Sequence, residues 1–153
     1  MSLGKRLFDL FWASLGLVLL SPLFLILALL IKLADGGAVF YRQERVGWRG
    51  RPFRVWKFRT MVMNAERMGK PLTVGDDPRI TAAGRFLRRF KLDELPQLFN
   101  VVRGEMSLVG PRPEVAKYVR LYTPGQRRVL DLVPGITDPA SIKYRDESDI
   151  LAH

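Results

Sequence analysis

The longest apolar stretch of the chain lies near its start. Residues 10–31 carry no charged side chain and are apolar on every face that a helix would present. A helix over this range would extend about 33 Å, enough to cross a bilayer core of about 30 Å. A signal peptide is disfavoured because the run is too long and no small-x-small cleavage site follows before Lys32. A soluble core helix is disfavoured because such a helix has a polar face. The pattern predicts a membrane-resident segment.

A Ser21-Pro22 pair falls in the middle of this run. Proline lacks a backbone donor, and its ring clashes with the carbonyl four residues back, here that of Val18, so a kink is expected. The Ser21 hydroxyl can satisfy a carbonyl that the kink frees. Each half is then about half a bilayer thick, which suits a re-entrant hairpin.

The charges that flank the run favour the same interpretation. Lys5 and Arg6 precede it, while Lys32 and a basic domain follow it. The positive-inside rule places both ends in the cytoplasm, which a straight span cannot supply. We therefore expect a re-entrant membrane hairpin over residues 1–35 and one basic domain over residues 36–153. A kinked helix that spans the membrane is the alternative.

Beyond the hairpin, alternation of apolar and basic residues predicts β-structure. Pro52–Arg59 has the period of a half-buried strand, which would bury Phe53, Val55 and Phe58 and present cations on its other face. Ala38–Tyr41 reads as a shorter strand. The alternative for the arginine-rich strand is a solvated face beside an anionic membrane.

The rest of the chain has mainly helical periodicity. Gly84–Leu95 is predicted as one helix that ends near Pro96, and Pro96–Val102 as a second helix that ends at Gly104. The first of these would bury a stripe of Phe86, Leu87, Phe90 and Leu95. Further helices are predicted over Glu114–Tyr122 and Gln126–Leu132. The expected fold is mainly α-helical with a few short β-strands, and helices such as 85–95 are expected to lie at the membrane interface.

Composition narrows the chemistry. The chain has no cysteine, and its one histidine is His153, so thiol catalysis, His/Cys metal sites and Ser-His-Asp triads are disfavoured. Neither a P-loop nor a Gly-x-Gly-x-x-Gly motif is present. With 25 basic and 15 acidic residues the formal net charge is +10, which implies an anionic partner: nucleic acid, acidic lipid headgroups or a phosphorylated substrate.

Asp93 and Glu94 are then the leading candidates for covalent chemistry. On the predicted helix Arg89 lies four residues before Asp93, with Arg88 nearby, and such cations keep a carboxylate ionised. An isolated Asp-Glu pair is ordinarily a surface ion pair. Here the Gly110–Pro113 turn and other cations suit a diphosphate, and carboxylate oxygens suit Mg²⁺.

Several ordered motifs carry a resemblance to a known family. They are Lys57–Met61, Asp77–Thr81, Leu92–Leu98, Asn100–Val101, Gly104–Pro113 and Pro134–Thr137. Over Lys5–Arg145 the chain resembles the bacterial sugar transferases, in the form of the small monotopic phosphoglycosyl transferases. Members of that family also break a re-entrant helix at a Ser-Pro pair, which matches Ser21-Pro22.

The resemblance implies a reaction, a cofactor and a location. Members transfer a sugar-1-phosphate from a UDP-sugar to undecaprenyl phosphate and release UMP, the first membrane step of glycoconjugate and polysaccharide biosynthesis. The expected cofactor is Mg²⁺, and the expected partners are the two substrates and membrane lipids, without nucleic acid. A homodimer is left open. The catalytic domain is expected on the cytoplasmic face of the inner membrane.

The resemblance also implies roles for individual residues. Asp93 corresponds to the nucleophile that forms a phosphosugar-aspartyl intermediate, and Glu94 to a residue that assists by binding Mg²⁺ together with Asp93 or by deprotonating the acceptor. The predicted substrate ligands are Arg112 and Arg88, then Lys57, Arg59 and Arg145, with Pro111 in the same turn as Arg112.

Two departures from the family pattern bear on the substrate. Lys91 stands where many relatives carry a small hydroxyl residue, and residues 138–145 differ from the usual continuation after Pro-Gly-Ile-Thr. Two rival functions remain. One is a membrane-anchored adaptor that binds anionic lipid or nucleic acid, which would make no use of Asp93. The other is a transferase that works by direct single displacement.

Overall fold

The protein is built mainly from helices, with two pairs of short strands. The computed structural model describes residues 1–65, 68 and 77–138. Its helices are α1 Leu3–Leu19, α2 Ser21–Asp35, α3 Ala82–Arg89, α4 Gln97–Arg103, α5 Ala116–Val119 and α6 Pro124–Arg127. Single 3₁₀ turns cover Trp48–Gly50, Leu92–Glu94 and Arg128–Asp131. The predicted fold class, mainly α with a few short strands, is confirmed for the described residues.

The four strands form two separate two-stranded sheets. Strands β1 Phe40–Val46 and β2 Pro52–Phe58 are antiparallel, with Phe40 opposite Phe58 and Val46 opposite Pro52. Strands β3 Ser107–Val109 and β4 Gly135–Thr137 are parallel. The strand predicted over Pro52–Arg59 is therefore confirmed, while β1 continues well beyond the predicted Ala38–Tyr41.

The apolar run is bent at the predicted place. Helices α1 and α2 meet at an angle of 60°, and the hydroxyl of Ser21 donates a hydrogen bond of 2.8 Å to the carbonyl oxygen of Val18. That carbonyl is the one that the ring of Pro22 deprives of its helical donor. Helix α2 ends at Gly36, whose φ of 69° is left-handed.

The length of these helices limits what either could span. Within the described residues no single helix is long and apolar enough to cross a bilayer, and only the bent pair α1–α2 passes that test, as one unit. The re-entrant course through a membrane stays a prediction.

A buried ion pair joins the base of α1 to strand β3. The Asp9 side chain is fully buried and forms an ion pair with Lys5. The Ser107 hydroxyl donates to Asp9 Oδ2 at 2.7 Å and accepts a hydrogen bond of 2.8 Å from Lys5 Nζ. The backbone N–H of Leu108 also points to Asp9, at 3.4 Å. Every charge in this cluster is therefore compensated inside the protein.

Arg6 makes a second link from α1. Its guanidinium donates to the carbonyl oxygens of Val101 and Val102, the latter at 2.8 Å. These carbonyls belong to the last turn of α4, where a cation satisfies free acceptors and the negative end of the helix dipole. Gly104, with a φ of 82°, ends α4 as predicted.

The hairpin and the basic domain share their apolar core. One cluster consists of Ala13, Val55, Val101 and Met106, and the other of Leu27, Ile31, Phe58 and Leu87. Each cluster combines a hairpin helix, strand β2 and a helix of the basic domain. The hairpin therefore packs as part of the fold and is more than an appended anchor.

The prediction of one helix over Gly84–Leu95 was wrong. Helix α3 ends at Arg89, and Lys91 has a left-handed φ of 54° before the chain enters the 3₁₀ turn. The predicted buried stripe also fails in part, because Phe86 and Phe90 are 51% and 56% exposed. Of the large apolar residues of α3, Leu87 alone reaches the core. Packing therefore stabilises about one turn of this helix and does not favour its continuation beyond Arg89.

The helices near the end of the described chain are shorter than predicted. Of the helix expected over Glu114–Tyr122, only α5 Ala116–Val119 forms. The helix expected at Gln126 begins earlier, at Pro124, because Thr123 and Gln126 form a capping box. It then tightens into the 3₁₀ turn Arg128–Asp131.

The buried cluster at Asp9 predicts a large loss of stability on truncation. Asp9→Ala would leave the Lys5 ammonium and the Ser107 hydroxyl without their partner, at a cost below the roughly 3–5 kcal/mol of a fully buried pair because the Lys5 side chain is 36% exposed. We expect a clear drop in the thermal unfolding midpoint in detergent micelles. Asp131→Ala is the control, since that residue is exposed and its carbonyl, not its carboxylate, contacts Trp48. Equal midpoints for the two variants would contradict the assignment.

Candidate active site

Asp93 and Glu94 lie on the 3₁₀ turn that connects α3 to α4. The turn is entered through the left-handed Lys91, and α4 restarts immediately after Pro96. A cavity of about 770 Å³ opens beside it. The predicted site residues that line this cavity are Lys57, Arg59, Arg88, Asp93, Glu94 and Arg112. The structure thus brings together residues from β2, α3, the 3₁₀ turn and the turn after β3.

Glu94 forms close ion pairs with two of the cations that line this cavity. Its Oε1 atom accepts hydrogen bonds from Lys57 Nζ at 2.8 Å and from Arg112 Nη2 at 2.9 Å. Burial alone would raise the pKa of Glu94, but the charges of Lys57 and Arg112 outweigh burial and lower the pKa to about 2. Glu94 is therefore ionised at any physiological pH.

Asp93 has the opposite environment although it is the adjacent residue. Burial raises the pKa of Asp93 above its ordinary value, the neighbouring Glu94 charge raises it further, and Lys57 and Arg88 only partly offset this. Within residues 1–65, 68 and 77–138, its carboxylate forms no ion pair within 4.0 Å. A partly buried carboxylate without a close cation is the more nucleophilic of the two.

The predicted pairing of Asp93 with Arg89 is wrong in its geometry. Helix α3 ends at Arg89, so the four-residue helical spacing that was to place these side chains on one face does not exist. Arg88 is the α3 cation whose charge lowers the pKa of Asp93. Its Nε atom donates a hydrogen bond of 2.9 Å to the Thr60 hydroxyl, which fixes the guanidinium at the cavity wall.

Arg59 lines the cavity but is engaged with the end of the hairpin. It forms an ion pair with Asp35, with 2.6 Å between Nη1 and Oδ2, and donates to the carbonyl oxygens of Ala38 and Met61. In this arrangement Arg59 links α2 to the end of β2. Its predicted role as a phosphate ligand stays a prediction, as does that of Arg145, which lies outside the described residues.

The Gly-Pro-Arg-Pro turn is fixed by close contact with β4. A Cβ atom at Gly110 would lie 2.4 Å from the carbonyl oxygen of Val133, so only glycine fits there. The carbonyl oxygen of Pro111 accepts a hydrogen bond of 2.9 Å from the N–H of Gly135. Pro111 thus contributes through the backbone of the turn, which projects Arg112 towards Glu94.

Sequence reasoning did not select two residues that line the cavity. Arg79 is one of them and pairs with Asp77, where the hydrogen bonds from Arg79 lower the pKa of Asp77 to about 2. Thr60 is the other, and its hydroxyl holds Arg88. The signal for both was their place in a motif of the resemblance, Asp77–Thr81 for Arg79 and Lys57–Met61 for Thr60.

The carboxylates fit the kind of magnesium site that a diphosphate completes. Among the described residues no cluster of three or more acidic or histidine side chains exists. Mg²⁺ commonly binds one or two carboxylates and takes its other ligands from substrate phosphates and water. One oxygen of Asp93 and the second oxygen of Glu94 would supply the protein's share, which leaves the other Asp93 oxygen without a metal.

The comparisons with known proteins agree on one family. The family model described as "Bacterial sugar transferase" matches residues 1–152. The chain is 42% identical to the exopolysaccharide production protein ExoY of Sinorhizobium fredii, over 95% of this chain and 71% of that protein. It is 44% identical to the UDP-glucose:undecaprenyl-phosphate glucose-1-phosphate transferase of Escherichia coli, over 96% of this chain.

The chain spans only part of some of these relatives. It covers 32% of the Escherichia coli protein. It covers 27% of the UDP-N-acetylgalactosamine-undecaprenyl-phosphate N-acetylgalactosaminephosphotransferase of Aeromonas hydrophila, with 46% identity over 75% of this chain. The region that the family model matches, residues 1–152, contains the whole cavity described above. The chain therefore belongs to the bacterial sugar transferase family and is an enzyme of the phosphoglycosyl transferase class.

Proposed function

We propose that this protein transfers a sugar-1-phosphate from a UDP-sugar to undecaprenyl phosphate through a covalent aspartyl intermediate. The observation that carries the proposal is the contrast between two adjacent carboxylates in one cationic cavity. Glu94 is clasped by Lys57 and Arg112, while Asp93 has no such partner among the described residues. The names of the relatives support the donor and the acceptor.

In the first step a carboxylate oxygen of Asp93 attacks the phosphorus that carries the sugar. The bond from this phosphorus to the bridging oxygen breaks, and that oxygen leaves with UMP. In the second step an oxygen of undecaprenyl phosphate attacks the same phosphorus, and the bond to the Asp93 oxygen breaks. The aspartate is regenerated, and the product is the undecaprenyl-diphosphate sugar. Because the two displacements are separate, the donor and the lipid need not occupy the cavity together.

Cations around the cavity would stabilise the charge that moves in both steps. Arg88 and Arg112 can each present two N–H groups to a phosphate, and Lys57 adds a point charge. Arg145 is a further predicted ligand. Mg²⁺ held by Asp93 and Glu94 would neutralise diphosphate charge and favour departure of UMP.

The hairpin would place this chemistry at the membrane surface. We propose that helices α1 and α2 enter and leave the inner membrane on its cytoplasmic face, bent at Ser21-Pro22. The exposed apolar residues of both helices support this, since Leu7, Phe11, Leu25 and Leu29 are all more than half exposed. The alternative function, a membrane-anchored adaptor, does not explain why Glu94 is paired with two cations while the adjacent Asp93 is not.

Removing the nucleophile should abolish the reaction. Asp93→Asn is expected to lower UMP release from a UDP-sugar by at least about a thousandfold, as loss of a nucleophile commonly does. Mass spectrometry should find a phosphosugar adduct on the unmodified protein and none on the variant. Membrane binding should survive, and Glu44→Gln on the exposed face of β1 should retain activity. Substantial turnover by Asp93→Asn would favour direct single displacement.

The acid side of the pH profile should report Asp93. Since the raised pKa of Asp93 governs its ionised fraction, kcat/KM should fall about tenfold per pH unit below that pKa, while Glu94 stays ionised down to about pH 2. Lys57 lowers the pKa of Asp93, so Lys57→Met should move the acid limb to higher pH. Lys117→Met, on the exposed side of α5, should leave the limb in place. A shift in the opposite direction would contradict this assignment.

The membrane course can be tested by labelling, because the chain contains no cysteine of its own. Leu3 is 76% exposed, so Leu3→Cys provides one accessible thiol at the start of α1. A membrane-impermeant maleimide should react with it only after the cells are permeabilised. In the Ser21→Ala/Pro22→Leu background the bend loses both of its causes, and labelling of intact cells should rise. Labelling of Leu3→Cys alone in intact cells would exclude the hairpin.

A further inference from the structure

One carboxylate oxygen in the cavity holds two cations from different parts of the fold. Glu94 Oε1 lies 2.8 Å from Lys57 Nζ and 2.9 Å from Arg112 Nη2. Lys57 comes from strand β2, and Arg112 comes from the glycine-proline turn after β3. Glu94 therefore bridges cations from two elements, and these cations would otherwise repel each other.

When no substrate is present, the ion pairs of Glu94 with Lys57 and Arg112 compensate charges that have little access to water. The side chains of Lys57 and Glu94 are only 19% and 16% exposed, so little water is available to solvate either charge. An unpaired ion in such a place is costly, and two cations that share one site also repel each other. Removing the charge of Glu94 would leave both effects less compensated.

The same two cations are the groups that a phosphate-bearing substrate needs. Both line the cavity that contains Asp93, and a guanidinium binds phosphate oxygens through paired N–H groups. Arg112 is 49% exposed, so it can contact an incoming anion while Nη2 still holds Glu94. A diphosphate carries several charged oxygens and can then replace the carboxylate at both cations.

We propose that Glu94 is a resident counter-ion, which holds Lys57 and Arg112 in the empty site and yields them to the phosphate groups of the donor. The proposal rests on the proposed function for the identity of that donor, a nucleoside diphosphate sugar. It adds a selection step, because an anion must outcompete a tethered carboxylate before it can bind. Small monoanions fail this competition, and a diphosphate succeeds. Asp93 takes no part in the exchange and keeps its carboxylate for attack.

The test measures binding of inorganic pyrophosphate by isothermal titration calorimetry, with the full chain in detergent and with EDTA present. Glu94→Gln keeps the shape and an acceptor oxygen but removes the competing charge. We expect it to bind pyrophosphate about tenfold more tightly than the unmodified protein. Glu94→Asp restores the charge and should return the affinity towards the original value. Glu44→Gln makes the same change in net charge away from the cavity and should have no effect.

Unchanged or weaker binding by a folded Glu94→Gln protein would overturn the proposal, because the carboxylate would then not compete with pyrophosphate for Lys57 and Arg112. If that variant fails to fold, the comparison moves to Lys57→Met against Lys57→Met/Glu94→Gln. The double variant removes one positive and one negative charge, so no unpaired charge is left from the Lys57–Glu94 pair. It should bind pyrophosphate more tightly than Lys57→Met. Absence of this gain is equally decisive.

These outcomes are independent of turnover. If no UDP-sugar yields UMP while the affinities follow the expected order, the proposed function fails and the counter-ion role stands. If UMP release is normal and the affinities do not change, only the counter-ion role fails.

Discussion

The buried carboxylate of Asp9 is the contact on which the arrangement of this protein depends. It sits in the first helix of the hairpin and binds Ser107 of strand β3, three residues before the turn that carries Arg112. A displaced α1 would therefore move the strand from which an active-site cation is presented. Arg6 repeats the connection at the last turn of α4. The bent helix pair α1–α2 and the cavity are consequently parts of one packed unit.

The cavity shows how a fold can give two neighbouring carboxylates different properties. Adjacent side chains point about 100° apart on an α-helix and about 120° apart on a 3₁₀ turn. Here a single 3₁₀ turn directs Glu94 to Lys57 and Arg112, while Asp93 is partly buried and has no ion pair among the described residues. Their pKa values consequently shift in opposite directions. Division of labour between the two residues thus follows from backbone geometry.

Features with a local cause were predictable from the sequence. The bend at Pro22, the bond from Ser21 to Val18 and the end of α4 at Gly104 each follow from residues a few positions apart. The helix break at Lys91 was missed because the helical periodicity of the sequence continues through it. In the structure only Leu87 of α3 packs in the core, which does not stabilise a longer helix. The partner of Arg59 was missed for a different reason: Asp35 is distant in sequence, and charge alone does not reveal which of many anions a cation will choose. The cavity's composition was largely foreseen, but its pairings were not.

The shared core has a practical consequence for anyone who wishes to work with a water-soluble form. Deleting the hairpin would uncover Val55, Phe58 and Leu87, which pack against it, and would deprive Arg59 of Asp35. Deletion of residues 1–35 would thus give an aggregation-prone fragment with an exposed core and not a smaller enzyme. Solubilisation is better attempted by replacing the outward-facing residues of α1 and α2, with the inward-facing residues Ala13, Leu27 and Ile31 left intact.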